Sequence, residues 1–262
     1  MEIKILSEKD NILQFSIDGI DHVLANTLRR LMLAEVPVLS VDEVEFNKNN
    51  SALYDEIISH RIGLIPLTTD LKTYNLKDEC KCKGKGCAMC QVLLSLDATG
   101  PVTVYSGDLK SKDPKVVPVY DKIPIVKLLK GQKLKLEATA ILGKGKEHMK
   151  FSPGWFYYQH YPVVKVNNPK NVEEINISCP TKVFEVSDGK LKVKRLESCT
   201  LCNQCVDLAN PENSISVNAE KNKFIFTMES FGQLPNKEIV SKALEIFDNK
   251  LDELEKLVKK AK

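Results

Sequence analysis

Ser198-Cys199-Thr200-Leu201-Cys202-Asn203-Gln204-Cys205 sets three thiols three residues apart. With Cys179-Pro180 upstream they become four, enough to hold an inorganic cluster or close on one ion. The chain has eight cysteines, and the other four also fall together, as Cys80, Cys82, Cys87 and Cys90. In a secreted protein that number would suggest disulfides. In a reducing cytosol, thiols clustered at short spacing more often bind metal.

Bacterial-type ferredoxins use C-x2-C-x2-C-x3-C-P, in which the fourth cysteine ligates the other of two clusters. Here Cys199, Cys202 and Cys205 fill the first three positions and Ala209 stands at the fourth. A second half-pattern ends at Cys179-Pro180, with Pro169, Val172 and Ile175 at its three upstream positions. Every ligand of one cluster is therefore present, and every ligand of the other is replaced. Random loss of cysteines would not sort in this way. The expectation is one iron–sulfur cluster on Cys179, Cys199, Cys202 and Cys205, in a ferredoxin-like insert over residues 166–220. Ligand count points to [4Fe-4S], or to [3Fe-4S] if one cysteine does not ligate. The rival is a four-thiolate zinc site, which favours two compact pairs and fits a triplet plus a distant Cys-Pro less well.

The other group, Cys80-x-Cys82-x4-Cys87-x2-Cys90, lies in a loop rich in lysine and glycine. Four thiolates so close in sequence can surround one tetrahedral ion, and Gly84 and Gly86 permit the tight turn. Lys81, Lys83 and Lys85 are expected to lower the thiol pKa values. One structural Zn2+ is the reading, because protein would fill every coordination position. A metal-free thiol cluster and disulfides formed in air are the alternatives.

Outward from the cysteines, Val183-Phe184-Glu185-Val186, Ser187-Asp188-Gly189 and Leu191-Lys192-Val193 read as a β-hairpin with a tight turn. Leu13, Phe15 and Ile17 alternate as a half-buried strand does. Leu24, Leu28, Leu31 and Met32 recur at helical spacing until Val36-Pro37 ends the helix. Spacing alone leaves that stripe open between core packing and a partner interface. Residues 40–165 are strand-rich and broken by turns, and Phe224, Phe226 and Met228 alternate in a last strand. A long terminal helix follows, with Ile239, Ala243, Ile246, Phe247, Leu251, Leu254 and Val258 on one face. A helix this amphipathic packs on its own domain or on another chain. The class expected is α+β.

The 262 residues, 43% hydrophobic and 28% charged, suffice for one to three domains with real cores. A net charge of +3 makes no case for broad nucleic-acid binding. Met1-Glu2-Ile3-Lys4 lacks the apolar core of a signal peptide, and no window approaches the ~20 apolar residues that span a bilayer. A cytoplasmic protein without a membrane partner is expected. Gly143-Lys144-Gly145-Lys146 is no phosphate-binding loop, lacking the upstream glycine and the hydroxyl residue. His22, His60, His148 and His160 are scattered without metal-ligand spacing, and the acid pairs Asp42-Glu43 and Asp55-Glu56 are ordinary for a surface. No catalytic machinery is legible.

Several longer stretches carry a resemblance. They are Ala25-Asn26-Thr27-Leu28-Arg29-Arg30, Val41-Asp42-Glu43-Val44, the run from Tyr54 through Ser59-His60-Arg61-Ile62-Gly63-Leu64-Ile65-Pro66-Leu67, Gly143 through Pro153, and Glu229-Ser230-Phe231-Gly232. Together they closely resemble the D-subunit family of archaeal RNA polymerase, nearly end to end. This family is the counterpart of the third-largest subunit of eukaryotic RNA polymerase II and of the bacterial α subunit's N-terminal domain. The resemblance implies a discontinuous dimerisation domain (1–40 and 221–262), an inserted β-rich domain (41–165) carrying the 80–90 loop, and the iron–sulfur insert (166–220). It implies pairing with subunit L through Leu24, Leu28, Leu31, Met32, Phe247, Leu251 and Leu254. It also implies contact with small subunits N and P and the large catalytic subunits, with little or no nucleic-acid contact. The function implied is non-catalytic assembly within a nucleotidyltransferase complex. The cysteines alone leave an electron-transfer or redox-sensing protein as the other reading.

Overall fold

The computed structural model describes residues 1–261. Strands β1 (Glu2–Lys9) and β2 (Ile12–Asp18) lead to helix α1 (His22–Ala34) and strand β3 (Val38–Asn49). Helix α2 (Asp55–Gly63) precedes β4 (Gln91–Thr99), β5 (Val102–Tyr105), β6 (Lys110–Ser111), β7 (Pro124–Leu128), β8 (Lys133–Gly143) and β9 (Gly154–Val166). Then come α3 (Val172–Ser178), β10 (Phe184–Ser187), β11 (Lys190–Val193), α4 (Gln204–Asp207), β12 (Ile215–Ser230) and α5 (Asn236–Lys260). Helices beside several separate sheets make the class α+β. The chain divides into two compact units. One comprises residues 1–9, 13–27 and 157–227; the other comprises 10–12, 28–156 and 228 onward.

The first unit holds most of a four-stranded sheet in the order β1-β2-β12-β9. Leu13, Phe15 and Ile17 turn one face of β2 inward, as their alternation requires. Phe15 stacks on Phe226 with ring centroids 5.2 Å apart, and Tyr158 meets Phe224 edge-on at 5.6 Å. The last strand starts well before Phe224. It runs through the mostly polar residues 218–222, and the Asn222 carbonyl accepts the N–H groups of Gly19 and Ile20. In β10–β11 the residues Asp188 and Gly189 take φ of 55° and 68°, the left-handed pair of a type I′ hairpin turn.

In the second unit β8 runs between β3 and β4, with β6 at the far edge, and β5 pairs separately with β7. Leu134, Leu136, Ala138, Ala140 and Leu142 alternate inward along β8 and meet Val92, Leu94 and Leu96 across the β4 register. Ile58 and Ile62 bring α2 onto this core, and Ile65 and Leu67 continue it. Three of the stretches that resembled a family, 41–44, 143–153 and 229–232, meet here. Lys150 Nζ pairs with Asp42 at 2.8 Å and donates to the Val41 carbonyl. Arg61 donates to the Ile125 carbonyl at 2.8 Å, and Phe231 N–H donates to the Pro153 carbonyl. Glu35 lies within ion-pair reach of Lys144, Lys146 and Lys250, which tethers α5. Burial raises its carboxyl, but the three lysines outweigh that and hold it low.

One loop junction has a measurable pH signature. Asp70 accepts from Lys115 Nζ, Lys72 N–H and Thr73 Oγ1, and these hold its carboxyl down to about 2. A lowered carboxylate supports the fold above its unfolded value of ~4, and that support is lost as pH falls toward the folded value. An NMR titration is expected to give an Asp70 midpoint of about 2. A midpoint at the ordinary ~4 would mean these hydrogen bonds do not form in solution.

Candidate metal centres

The 80–90 loop folds into a knot of thiols. Lys83 N–H donates to the Cys80 carbonyl and Lys85 N–H to the Cys82 carbonyl, while Lys83, Gly84 and Gly86 take positive φ. Glycine accepts that backbone freely, as expected at residues 84 and 86. The chain returns at Cys87, whose N–H donates to Cys90 Sγ at 3.2 Å. Sulfur separations are 3.6 Å for Cys80–Cys87, 3.6 Å for Cys82–Cys90 and 3.8 Å for Cys87–Cys90. All four sulfurs lie within 4.8 Å of one another. A disulfide would need ~2.05 Å, and all eight cysteines are free. Four sulfurs held ~2.3 Å from one tetrahedral ion stand about 3.8 Å apart. The knot therefore has the dimensions of a single-ion cage.

Its thiols are unequal. Burial pushes Cys90 up to about 12. Burial also raises Cys82, but hydrogen bonds from Cys80, Cys90, Gly86 and Cys87 outweigh it and bring the thiol down to about 6. Neighbouring sulfurs, more than the exposed lysines expected to act, set this value. Adding one equivalent of Zn2+ to the reduced chain at pH 7 is expected to release protons and to protect these four thiols from alkylation. Full alkylation in the presence of Zn2+ would contradict a cage at this loop.

The second set is arranged differently. Cys179 caps α3, Cys199 follows a single 3-10 turn (Leu196–Ser198), and Cys205 sits in α4. Leu201 and Asn203, on either side of Cys202, take left-handed φ of 60° and 61°. Asparagine tolerates that conformation, but leucine is strained in it, and such strain clusters where side chains must converge. All four cysteines line one hollow, partly open to solvent, with Thr181, Phe184 and Gln204. Among the described residues, no three of these sulfurs crowd within 4.8 Å as the first set does. A cubic cluster offers one iron to each thiolate, so its ligand sulfurs must stand farther apart than around a single ion. Four thiolates lining one hollow are a donor set that an iron–sulfur cluster or a zinc ion can take.

Val183 N–H donates to Cys179 Sγ at 3.4 Å, the type of hydrogen bond that supports a ligating thiolate. Gln159, unremarked in the sequence, donates to the carbonyls of Glu197 and Cys199 and holds the entry to the loop. Burial raises the Cys199 thiol and pushes Cys205 up to about 11, with the neighbouring thiols adding to it. Cationic iron would reverse that penalty. The replaced half-site is filled by apolar groups: Ile175 and Ala209 are buried beside Cys199 and Cys205, and Val172 packs on them. Asn171 joins the two halves, donating to the Leu208 carbonyl and accepting from Asn210 N–H.

With both centres described, relatives can be compared. A protein of Archaeoglobus fulgidus named DNA-directed RNA polymerase subunit Rpo3 is 43% identical over 98% of this chain and 97% of its own. The chain belongs to the Rpo3 family. Rpo3 proteins of Pyrococcus furiosus and Methanosphaera stadtmanae are 41% and 38% identical, each matching 97–98% of both chains. Residues 44–155 also match the RNA polymerase Rpb3/RpoA insert domain. That match takes in the 80–90 knot and leaves Cys179, Cys199, Cys202 and Cys205 of this chain outside it.

The stripe residues separate in this chain. Leu31 and Met32 are buried within the chain itself, so they leave little for a partner, whereas Leu24 and Leu28 are half-buried. Ile239 and Ala243 anchor the start of α5 in the core. Farther along, Phe247 is half-buried and Leu251 and Leu254 are 48% and 56% exposed. Leu244 and Leu257, absent from the expected set, extend this open apolar face. Helical spacing from Leu251 and Leu254 would have found Leu257. No described helix is long and apolar enough to cross a membrane.

Proposed function

We propose that this chain is a non-catalytic assembly subunit of cytoplasmic DNA-directed RNA polymerase, pairing with subunit L to nucleate the core. The observation that carries this reading is the open apolar face of α5, in a chain matched nearly end to end by proteins named Rpo3. Leucines standing in water along two helical turns cost free energy that a partner helix would recover. In this reading residues 1–40 and 221–262 form the dimerisation domain, and 41–165 meet the large catalytic subunits and small subunits N and P. Residues 166–220 are a ferredoxin-like insert. The cysteines of that insert hold one iron–sulfur cluster, and Cys80, Cys82, Cys87 and Cys90 hold one Zn2+.

The iron–sulfur cluster acts chiefly as a staple. Cys199 and Cys205 belong to the insert's own apolar core, so ligation and folding are one event. Electron transfer is the lesser reading, because the half-site that would complete a two-cluster relay is filled by Ile175 and Ala209. Anaerobic co-expression with a small subunit of the L type, followed by size-exclusion chromatography, tests the assembly role. A one-to-one complex is expected. A chain that stays monomeric beside that subunit would sink the proposal.

A further inference from the structure

Helix α5 is held by its own chain along only part of its length. Ile239 and Ala243 are buried in the core and Ile246 is half-buried, and helical spacing puts all three on one face. Lys250 is the next residue on that face, and every described residue from Asp248 to Lys260 is exposed. The core-facing stripe therefore ends on a cation. That cation meets Glu35, with Lys250 Nζ 3.1 Å from Glu35 Oε1. An open hollow lined by Glu79, Asp252, Glu253 and Lys256 begins beside the pair, where the helix parts from the core. We propose that Glu35 is a positioning residue for subunit pairing, pinning α5 at Lys250 and so aiming Leu251, Leu254 and Leu257 at the partner. The inference rests on the assembly reading above and adds the residue that orients its contact face.

Glu35 is itself firmly placed. Its N–H donates to the Leu31 carbonyl as α1 ends. The loop after β8 closes over that helix end: Lys146 N–H donates to the Ala34 carbonyl at 3.0 Å, and Gly145 lies against the Leu33 carbonyl with no room for a side chain. Lys146 shares the same carboxylate oxygen at 3.5 Å, and Lys144 stands 3.9 Å from the other. One carboxylate, its side chain only 16% exposed, thus gathers three ammonium groups from two elements. Without it Lys144, Lys146 and Lys250 repel one another, and the half of α5 that nothing buries is the part that yields. At 1.5 Å per residue the helix runs ~15 Å beyond Lys250, so a tilt of about 10° there moves its end by about 2.5 Å. Side chains packed at interior density do not absorb a shift of that size.

The test uses the full chain and a purified small subunit of the L type, with affinity read anaerobically by isothermal titration calorimetry. Glu35→Gln and Lys250→Met are each expected to weaken pairing by roughly tenfold, and the double variant by no more than Glu35→Gln alone, because both act through one contact. Lys242→Met breaks another ion pair of α5, with Glu245, and is expected to leave affinity unchanged. Wild-type affinity in either variant overturns the role of Glu35 while leaving the assembly role intact. So do losses that multiply to about a hundredfold in the double variant, since they mark two independent contacts. Lys250→Met decides the matter if Glu35→Gln loses helix content, because the lysine side chain is 48% exposed and supports no core. Failure of the unsubstituted chain to bind the small subunit overturns the assembly reading and this inference with it.

Discussion

Replacing Leu251 and Leu254 together with aspartate is expected to abolish pairing with the small partner while leaving this chain folded. Both side chains are about half exposed, so the chain's own core does not depend on them. The α5 segment that does support the core lies earlier, at Ile239 and Ala243. In a complex each leucine would contribute about 1.5–3 kcal/mol by leaving water. The aspartates remove that gain and add the cost of burying an unpaired charge. Together the loss is on the order of 5 kcal/mol, or more than about a thousandfold in affinity. Pull-down and circular dichroism give the two readouts. Retained pairing would move the interface off this face of α5, and loss of helix content would mean the face supports the chain itself.

Cys205→Ala is expected to have the second large effect, confined to the insert. Cys205 is buried in α4 within the apolar core that includes Ile175, Val183, Leu191 and Ile215. Alanine fits this space without introducing an unpaired polar atom, so any large loss reflects ligation rather than packing. On the scale of structural metal sites, losing the centre costs more than about 5 kcal/mol. An isolated core this small has little with which to offset that. Limited proteolysis should cut the variant within residues 166–220, while the β3-β8-β4-β6 sheet stays resistant. Wild-type protease resistance in an iron-free variant would make the cluster dispensable for the fold.

Much of this architecture is legible from side-chain period and turn chemistry. Leu13, Phe15 and Ile17 announce a strand because burial on one face demands alternation. Asp188-Gly189 announces the hairpin because both residues accept positive φ. The first cysteine knot is readable from spacing alone, since short loops with glycine bring nearby thiols together. The second requires Cys179 to reach across a hairpin, and only the paired half-patterns make that visible.

What sequence could not supply was the destination of each apolar face. Leu24, Leu28, Leu31 and Met32 share one spacing, yet Leu31 and Met32 are buried and the other two are not fully covered. Period identifies a face but not what covers it. The long β12 was hidden for a related reason. Residues 218–222 are polar apart from Ala219, and the strand there follows from pairing within the β1-β2-β12-β9 sheet rather than from propensity. That Cys202 is exposed while Cys199 and Cys205 are buried also escapes spacing, because the C-x2-C-x2-C pattern treats its three members alike.

Native mass spectrometry of the anaerobically co-expressed pair tests the central claim most directly. The account predicts one species containing a single 29.4 kDa chain, one small L-type subunit, one zinc ion and one iron–sulfur cluster. A chain that runs alone, or pairs only with itself, would contradict the assembly role. A stable pair without iron and sulfide would contradict the cluster as the staple of residues 166–220.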